Sequence, residues 1–238
     1  MKTEPIRDIA KFIAMQKKLL EDGKVRECLL VQVMFNTNLR VSDALLMRWR
    51  DVCNGEDIYK TFVVKEQKVR NVKRPKPKYI PVSEQLHDSL LNFYYKYKPK
   101  LNHYIFRSES NRVIRKNTSW RRGYVYKFIR HYAGLVGIDG NIGSHTLRRS
   151  WAYHAYHTEI VPLELIRIIL GHRDVRTTME YAGITADTQR EKYELVSQLS
   201  GAADEFIRAD TLPNRINKFK RKKMKGAADA SFKIKKGE

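Results

Sequence analysis

The sequence is short of cysteine, of acidic residues and of long apolar stretches. Two cysteines in 238 residues, Cys28 and Cys53, are too few for a disulfide framework or for a zinc site of their own. No apolar run approaches the roughly 20 residues that cross a bilayer, and the N-terminus carries acids and a proline where a signal peptide is apolar. We therefore expect reduced thiols, with Cys28 facing the core, a cytoplasmic location and no membrane partner.

The chain has few acidic residues relative to its basic ones, and the excess of lysine and arginine gives a large positive charge. The chain has 47 Lys and Arg against 26 Asp and Glu, a formal net charge of +21. Such an excess repels itself in the compact state and attracts polyanions. The basic residues do not lie on one strongly amphipathic helix, which argues against a membrane surface. Charge therefore favours a nucleic acid as the partner, and the alternative is a solvated positive surface without a role.

The apolar pattern predicts a mainly helical chain with a small β-sheet. Helices are predicted over 5–22, 26–35, 44–52, 83–97, 117–136, 145–158, 162–170 and 186–206. Residues 58–65 and 79–82 mix β-branched and aromatic side chains, which is typical of a two-stranded ribbon, here with a long basic tip. Residues 105–108 form a third, short strand-like stretch.

The last part of the chain, 209–238, is basic and has few large apolar residues. Such a segment cannot bury enough surface to offset the entropy of ordering, so we expect a tail that is disordered when free. The tail is either a solvated segment without a role or an arm that contacts DNA. Residues 1–208 then form the folded part.

Arg40 belongs to the first of three patterns that can carry chemistry. It lies between apolar Leu39 and Val41, just before a short helix for which Ser42 and Asp43 supply capping side chains. An arginine in apolar surroundings is costly unless it meets an anion. The alternative is a structural salt bridge to a carboxylate such as Asp43.

The second pattern is SHTLRRS, which predicts a helix with Ser144 as its N-cap. His145 and Arg148 lie three residues apart and so share one face of the first turn, where backbone N–H groups and the helix dipole favour an anion. Arg149 points elsewhere and is expected at the surface or on a DNA backbone. A His-x-x-Arg pair alone is weak evidence in an arginine-rich chain.

The third pattern is LGHRDVRTTMEY. His172 follows an apolar helix and Gly171, a residue that can end it, and Tyr181 follows nine residues later. Each has an ordinary explanation, a histidine at a helix C-terminus and one of 13 tyrosines packing at an edge. Only the order and spacing of all three patterns together are specific.

Three further polar residues hint at a metal site. His154 and His157 share one helical face, and Glu159 is nearby. They lack a pattern for a third ligand, and AYHAYH is typical of a partly buried helix face. We expect neither a metal nor another cofactor.

Taken together, the three patterns resemble the catalytic domain of the tyrosine recombinase (phage integrase) family. Leu39–Asp43 is similar to its first arginine motif, His145–Arg149 to its His-x-Leu-Arg helix, and Leu170–His172 with Tyr181 to its last motif. The resemblance spans residues 5–200 and implies that 1–208 fold as this domain, mainly α with a small β-sheet (α+β). It implies a catalytic set of Arg40, Lys68, His145, Arg148, His172 and Tyr181.

The lysine of the ribbon in this set has two candidates. Family members carry it near the end of the first strand, and in VVKEQKVRN the match is Lys68, with Lys65 as the alternative. The segment up to Pro81 is longer than usual and holds more basic residues. The residues expected to contact DNA are Lys65, Arg70, Lys73, Arg74, Lys76, Arg149, Lys220, Arg221, Lys222 and Lys223.

The resemblance implies DNA cleavage and rejoining without metal or ATP. Tyr181 would attack a phosphodiester to give a 3′-phosphotyrosine, and the two arginines would bind the non-bridging oxygens. A phenol has a pKa of about 10, so His145 is the candidate proton acceptor. Lys68 would protonate the leaving oxygen and His172 would bind a non-bridging oxygen.

The implied protein is a site-specific recombinase or integrase of a phage or mobile element, acting in the host cytoplasm if a phage encodes it. Its partner would be double-stranded DNA with a specific site, bound by a homotetramer on two duplexes that is weakly associated without DNA. Residues 186–206 would dock either on a neighbouring subunit or on their own domain. The residues before Arg40 read as the domain's own first helices, so the chain resembles the minimal family members. The alternatives are a topoisomerase-like or resolvase activity with the same site, and a non-catalytic DNA-binding protein of the same fold.

Overall fold

The computed structural model describes residues 3–65, 77–109 and 116–199. The chain divides into two units, the first ending at Ile184 and the second beginning at Thr185. The predicted beginning of a separate tail at residue 209 lies outside the described residues. None of the helices within the described ranges has the length and apolar character needed to span a membrane.

The described chain is mainly helical. Its α-helices are α1 (Ile9–Glu21), α2 (Val25–Thr37), α3 (Val41–Ala44), α4 (Glu84–Tyr97), α5 (Arg122–Leu135), α6 (Thr146–His157), α7 (Leu163–Leu170), α8 (Val175–Tyr181) and α9 (Ala186–Leu199). Strands β1 (Thr61–Val64) and β2 (Lys78–Pro81) form an antiparallel ribbon in which Phe62 pairs with Ile80 and Val64 with Lys78. These elements confirm the predicted helical fold with its small sheet.

Apolar side chains form a large core and a smaller cluster. The large core contains side chains from each of the helices α1 through α5 and from the ribbon, together with Leu147 from the first turn of α6. The smaller cluster consists of Ala152, Ile166 and Leu170, so α6 contributes to both. Cys28 is buried in the large core as predicted, and this burial raises the pKa of its thiol to about 11.

The predicted helix over 44–52 is wrong. Helix α3 ends at Ala44, and Trp49–Asp51 form a separate turn of 3₁₀ helix. The reason is tertiary, because Arg48 pairs with Tyr104 in an antiparallel bridge and its N–H donates to the Asp51 carboxylate at 2.8 Å. Packing of this kind routinely overrides helix propensity.

The stretch 105–108 is likewise not a strand. Its pairing is reduced to a single antiparallel bridge between Arg107 and Ser119. The next helix begins later in the sequence than predicted, because Trp120 takes part in the same pairing: its N–H donates to the Phe106 carbonyl at 2.8 Å. Helix α5 therefore begins at Arg122 and not at the predicted residue 117.

Candidate active site

Arg40 lies in the turn between α2 and α3. Asn38, the C-cap of α2, adopts the left-handed conformation with φ 54°, and Arg40 is the extended residue that precedes α3. Leu39 and Val41 on either side are buried in the large core, whereas Arg40 is half-buried. Its flanking residues therefore anchor the turn, while Arg40 itself remains partly accessible.

His145 is the N-cap of α6, so the prediction of Ser144 in that role is wrong. The helix begins one residue later because Thr146 closes the turn: its hydroxyl accepts from the Gly143 N–H at 3.0 Å. The residue as a whole is exposed at the surface, but neighbouring protein atoms partly desolvate the imidazole ring. This desolvation, followed by the positive charges of Arg148, Arg149 and Arg40, lowers the pKa of His145. The imidazole is therefore neutral at neutral pH, as a proton acceptor must be.

Arg148 is fully buried, with 1% of its surface exposed. A buried charge is costly unless it is hydrogen-bonded. The guanidinium donates from Nη1 to the Asn38 carbonyl and from Nη2 to the Leu170 carbonyl, which uses two of its five N–H donors. Asn38 precedes Arg40 by two residues, and Leu170 precedes His172 by two. Arg148 thus ties all three sequence patterns together at one place.

The turn that carries His172 begins where α7 ends. Gly171 caps the helix in the left-handed conformation with φ 63°, which confirms the predicted helix stop and which a side chain would disfavour. The His172 N–H donates to the Arg167 carbonyl at 3.1 Å, and Arg167 Nη1 donates to the His172 carbonyl at 3.0 Å. The backbone on both sides of the imidazole is therefore fixed.

The imidazole of His172 faces α8. Its Nδ1 lies 3.1 Å from the hydroxyl oxygen of Thr178, which is buried. The ring meets the Tyr181 ring edge-on, with centroids 4.7 Å apart and planes at 72°. Tyr181 is the last residue of α8 and is half-buried. The nine-residue spacing in the sequence thus corresponds to direct contact between the two rings.

The expected surface position of Arg149 is wrong. Only 9% of the residue is exposed, and its guanidinium carbon lies 4.4 Å from the centroid of the Tyr181 ring. Its Nη1 also donates to the Glu180 carbonyl at 3.4 Å. One residue further along a helix turns the side chain by about 100°, which here points Arg149 at α8. No residue pattern in the sequence indicates that α8 packs against this face of α6, so the contact between Arg149 and Tyr181 could not be predicted.

The structure brings five of the predicted catalytic residues into one neighbourhood. The ring of Tyr181 contacts the ring of His172. Arg148 donates to the backbone carbonyls that lie two residues before Arg40 and two residues before His172, and the charges of Arg40 and Arg148 lower the pKa of His145. Lys65 is exposed directly after β1. The predicted residues outside the described ranges are Lys68, Arg70, Lys73, Arg74, Lys76, Lys220, Arg221, Lys222 and Lys223.

The two histidines considered as metal ligands have backbone partners. His154 Nε2 lies 2.9 Å from the Ile6 carbonyl oxygen, and His157 Nε2 lies 3.2 Å from that of Ala182. Burial lowers the pKa of His154. Across the parts of the chain that the structure describes, no three side chains are grouped as metal ligands.

Comparison with known proteins gives consistent results. The model of the phage integrase family matches residues 5–187. The chain is similar to the probable integrase/recombinase YoeC of Bacillus subtilis (strain 168), with 32% identity over 196 residues, which cover 82% of this chain and 98% of YoeC. It is also similar to tyrosine recombinase XerA of Pyrococcus furiosus, with 29% identity over 186 residues, which cover 77% of this chain and 60% of XerA.

The fold is similar to that of a solved recombinase complex. The structure of the XerH site-specific recombinase bound to palindromic difH substrate, a post-cleavage complex, aligns with a TM-score of 0.60 at 19% identity. The alignment covers 82% of this chain and 54% of that chain. The chain therefore spans nearly all of YoeC but little more than half of the XerA and XerH chains. The predicted recombinase catalytic-domain fold is confirmed.

Proposed function

This chain belongs to the phage integrase family, and we propose from that premise that it is a site-specific DNA recombinase whose nucleophile is Tyr181. The observation that carries the proposal is the contact of Tyr181 with His172 and Arg149, next to the buried Arg148 that links all three motifs. The substrate is double-stranded DNA with a specific recombination site, in keeping with the net charge of +21.

Arginine side chains are suited to the charge of the phosphate. A phosphodiester carries one negative charge, and more develops on its oxygens as a nucleophile attacks. Guanidinium groups donate paired hydrogen bonds to such oxygens, and the loss of one donor of this kind typically costs about 10²–10³ in rate. Arg40 is half-buried and so partly accessible to the phosphate. Arg148 is fully buried, and a direct bond from Arg148 requires the side chain to be uncovered when DNA binds.

The proton transfers follow from the two steps of the reaction. The Tyr181 oxygen forms a bond to phosphorus and the bond from phosphorus to the 5′ oxygen breaks, which leaves a 3′-phosphotyrosine. His145, neutral because its pKa is lowered, accepts the phenol proton. The ribbon lysine, Lys68 or else Lys65, gives a proton to the departing 5′ oxygen. A 5′-hydroxyl from a second DNA reverses the attack, so strand exchange requires no ATP and no metal.

We also propose that the active assembly is a tetramer on two duplexes. Helix α9 carries Tyr193 and Val196, which are three residues apart on one face and are 79% and 65% exposed. Exposed apolar side chains at this spacing fit a subunit contact. With serine at both positions, the protein should still bind a single duplex but lose the paired complex, as measured by gel mobility.

Covalent capture from a pool of DNA sequences tests the proposed chemistry and selects the target in the same step. The protein is incubated with nicked duplexes that contain randomised segments, denatured with detergent, and precipitated with any DNA still attached. The wild type should retain DNA of a common sequence, and Tyr181→Phe should bind DNA with similar affinity and retain none. DNA binding by the wild type without any adduct would overturn the proposal in favour of a non-catalytic DNA-binding protein.

The products of the reaction distinguish a recombinase, which exchanges strands between two DNA sites, from a topoisomerase-like enzyme, which only relaxes DNA. Two captured sites on separate DNA molecules should yield recombinant products if the enzyme exchanges strands. Relaxation of one supercoiled circle without recombinants would instead indicate a topoisomerase-like activity of the same site.

A further inference from the structure

Two groups contact the aromatic ring of Tyr181 from different directions. The His172 ring approaches it edge-on at 4.7 Å, and the Arg149 guanidinium lies over it at 4.4 Å. A flat guanidinium over an aromatic face is attracted by the ring quadrupole, and more strongly where water is excluded. Arg149 is 9% exposed, so this contact is largely dry.

Both the backbone and the guanidinium of Arg149 are held in place. It lies in the first turn of α6, directly after Arg148, whose guanidinium is bonded to two backbone carbonyls. Its own Nη1 donates to the carbonyl of Glu180, the residue before Tyr181. One side chain therefore contacts both the backbone that leads into Tyr181 and the ring of Tyr181.

We propose that Arg149 is a positioning residue, which acts through Tyr181 by holding its ring in perpendicular contact with the ring of His172. This inference rests on the proposed function, in which Tyr181 is the nucleophile. An in-line attack depends on the position of the phenol oxygen, and small displacements of a reacting group cost large factors in rate. The competing role for Arg149 is a direct contact with the DNA phosphate.

A change in substrate charge distinguishes the two roles. A methylphosphonate at the cleavage position replaces one charged non-bridging oxygen with a methyl group, so an arginine that neutralises this phosphate becomes dispensable. An arginine that positions the phenol remains necessary. Arg40→Met is the matched control, because its role in the proposed function is to bind the phosphate.

The experiment measures single-turnover formation of the covalent adduct by the full chain on captured nicked DNA. On the phosphate substrate, Arg149→Met should slow adduct formation by about 2- to 30-fold, the range of a cation–π contact, with DNA affinity within about twofold of wild type. On the methylphosphonate, the Arg149→Met defect should persist while the Arg40→Met defect shrinks. Loss of the Arg149→Met defect on the neutral substrate would overturn the proposal in favour of a phosphate contact.

A spectroscopic measurement tests whether Arg149 acts on the Tyr181 ring in the absence of DNA. With 3-fluorotyrosine incorporated at position 181 alone, Arg149→Met should shift the fluorine resonance of the free protein, and Arg149→Lys should shift it less. An unchanged resonance together with a slowed reaction would contradict the inference. If the wild type itself gave no adduct at Tyr181, the proposed function would fail and not only this inference.

Discussion

The large core is held together mainly by apolar contacts, whereas the region of α6 to α8 combines a small apolar cluster with hydrogen bonds from arginine side chains. In the large core, apolar side chains such as Leu30, Met34 and Trp49 are fully buried against one another. Between α6 and its neighbours α7 and α8, arginine side chains donate to backbone carbonyls, from Arg148 to Leu170 and from Arg149 to Glu180. The scaffold is thus apolar and the proposed site is polar, so equivalent substitutions should affect different properties.

The largest effect is expected from Arg148→Met, which removes the donor to two buried carbonyls. Each unsatisfied buried carbonyl costs about 1–3 kcal/mol, so the loss of both partners should lower the free energy of unfolding by about 2–6 kcal/mol. Adduct formation should fall by at least about 10²–10³. Urea unfolding and covalent capture measure the two quantities.

Arg40→Met is the control for this prediction. At a half-buried position, it should lose comparable activity but about 1 kcal/mol of stability or less. Equal loss of stability in the two variants would contradict the anchoring role of Arg148.

A matched pair of apolar truncations compares the two regions directly. Leu30→Ala in the large core should lower the free energy of unfolding by about 2–5 kcal/mol. Ile166→Ala in the smaller cluster should mainly open α7 and α8 locally, because few apolar residues close that cluster. Hydrogen exchange by mass spectrometry should show faster exchange in α7 and α8 alone for Ile166→Ala. Uniformly faster exchange across the first unit would show that the two regions unfold together.

The lowered pKa of His145 predicts the acid limit of the reaction. His145 accepts a proton only when neutral, and desolvation with nearby positive charge moves its pKa below the ordinary 6.5. Adduct formation should therefore persist below pH 6.5 and fall as the pH drops through the folded-state pKa. Because the folded state disfavours the charged form, this group's contribution to stability is present above the unfolded-state pKa and is lost in acid.

Single-turnover rates between about pH 5 and pH 8 measure this limit. Arg149→Met should move its midpoint to higher pH, because one of the positive charges that lower the pKa is gone. An unchanged acid limit in His145→Gln would assign the titration to another group.

The smallest effect is expected at Lys78, where the second strand of the ribbon begins. The Lys78 ammonium donates to the carbonyl of Ile169, in the last turn of α7, at 2.7 Å, which joins the ribbon to the helix that precedes His172. Lys78→Met should slow adduct formation by about 3- to 10-fold, the equivalent of about 0.6–1.4 kcal/mol, which is the ordinary net contribution of one hydrogen bond. Lys78→Arg keeps a donor and should stay near the wild-type rate. An arginine variant as slow as the methionine variant would count against this contact.

The sequence is most informative where a residue type leaves few structural choices. Gly171 marks the end of α7 because only a residue that tolerates positive φ caps a helix in this way, and the structure confirms it. The apolar periods of α2, α4 and α7 likewise predict those helices closely. Helix α8, which ends at Tyr181, is not predicted by the apolar pattern, and in the structure the rings of His172 and Tyr181 are in contact.

The errors occur where a distant part of the chain determines the local structure. Nothing near Trp49 reveals that Arg48 pairs with Tyr104, so the local pattern predicts a helix in place of a turn. Ser144 is a good capping residue, but Thr146 closes the turn with Gly143 instead. Helical spacing alone places Arg149 at the surface because it does not reveal how α8 packs against α6.

Mass spectrometry of the trapped protein–DNA adduct identifies the side chain that attacks the DNA. After digestion of the protein and the DNA, we expect one modified peptide, with a nucleotide joined through its 3′ phosphate to the oxygen of Tyr181. Attachment to any other side chain, or a 5′ linkage, would contradict this expectation.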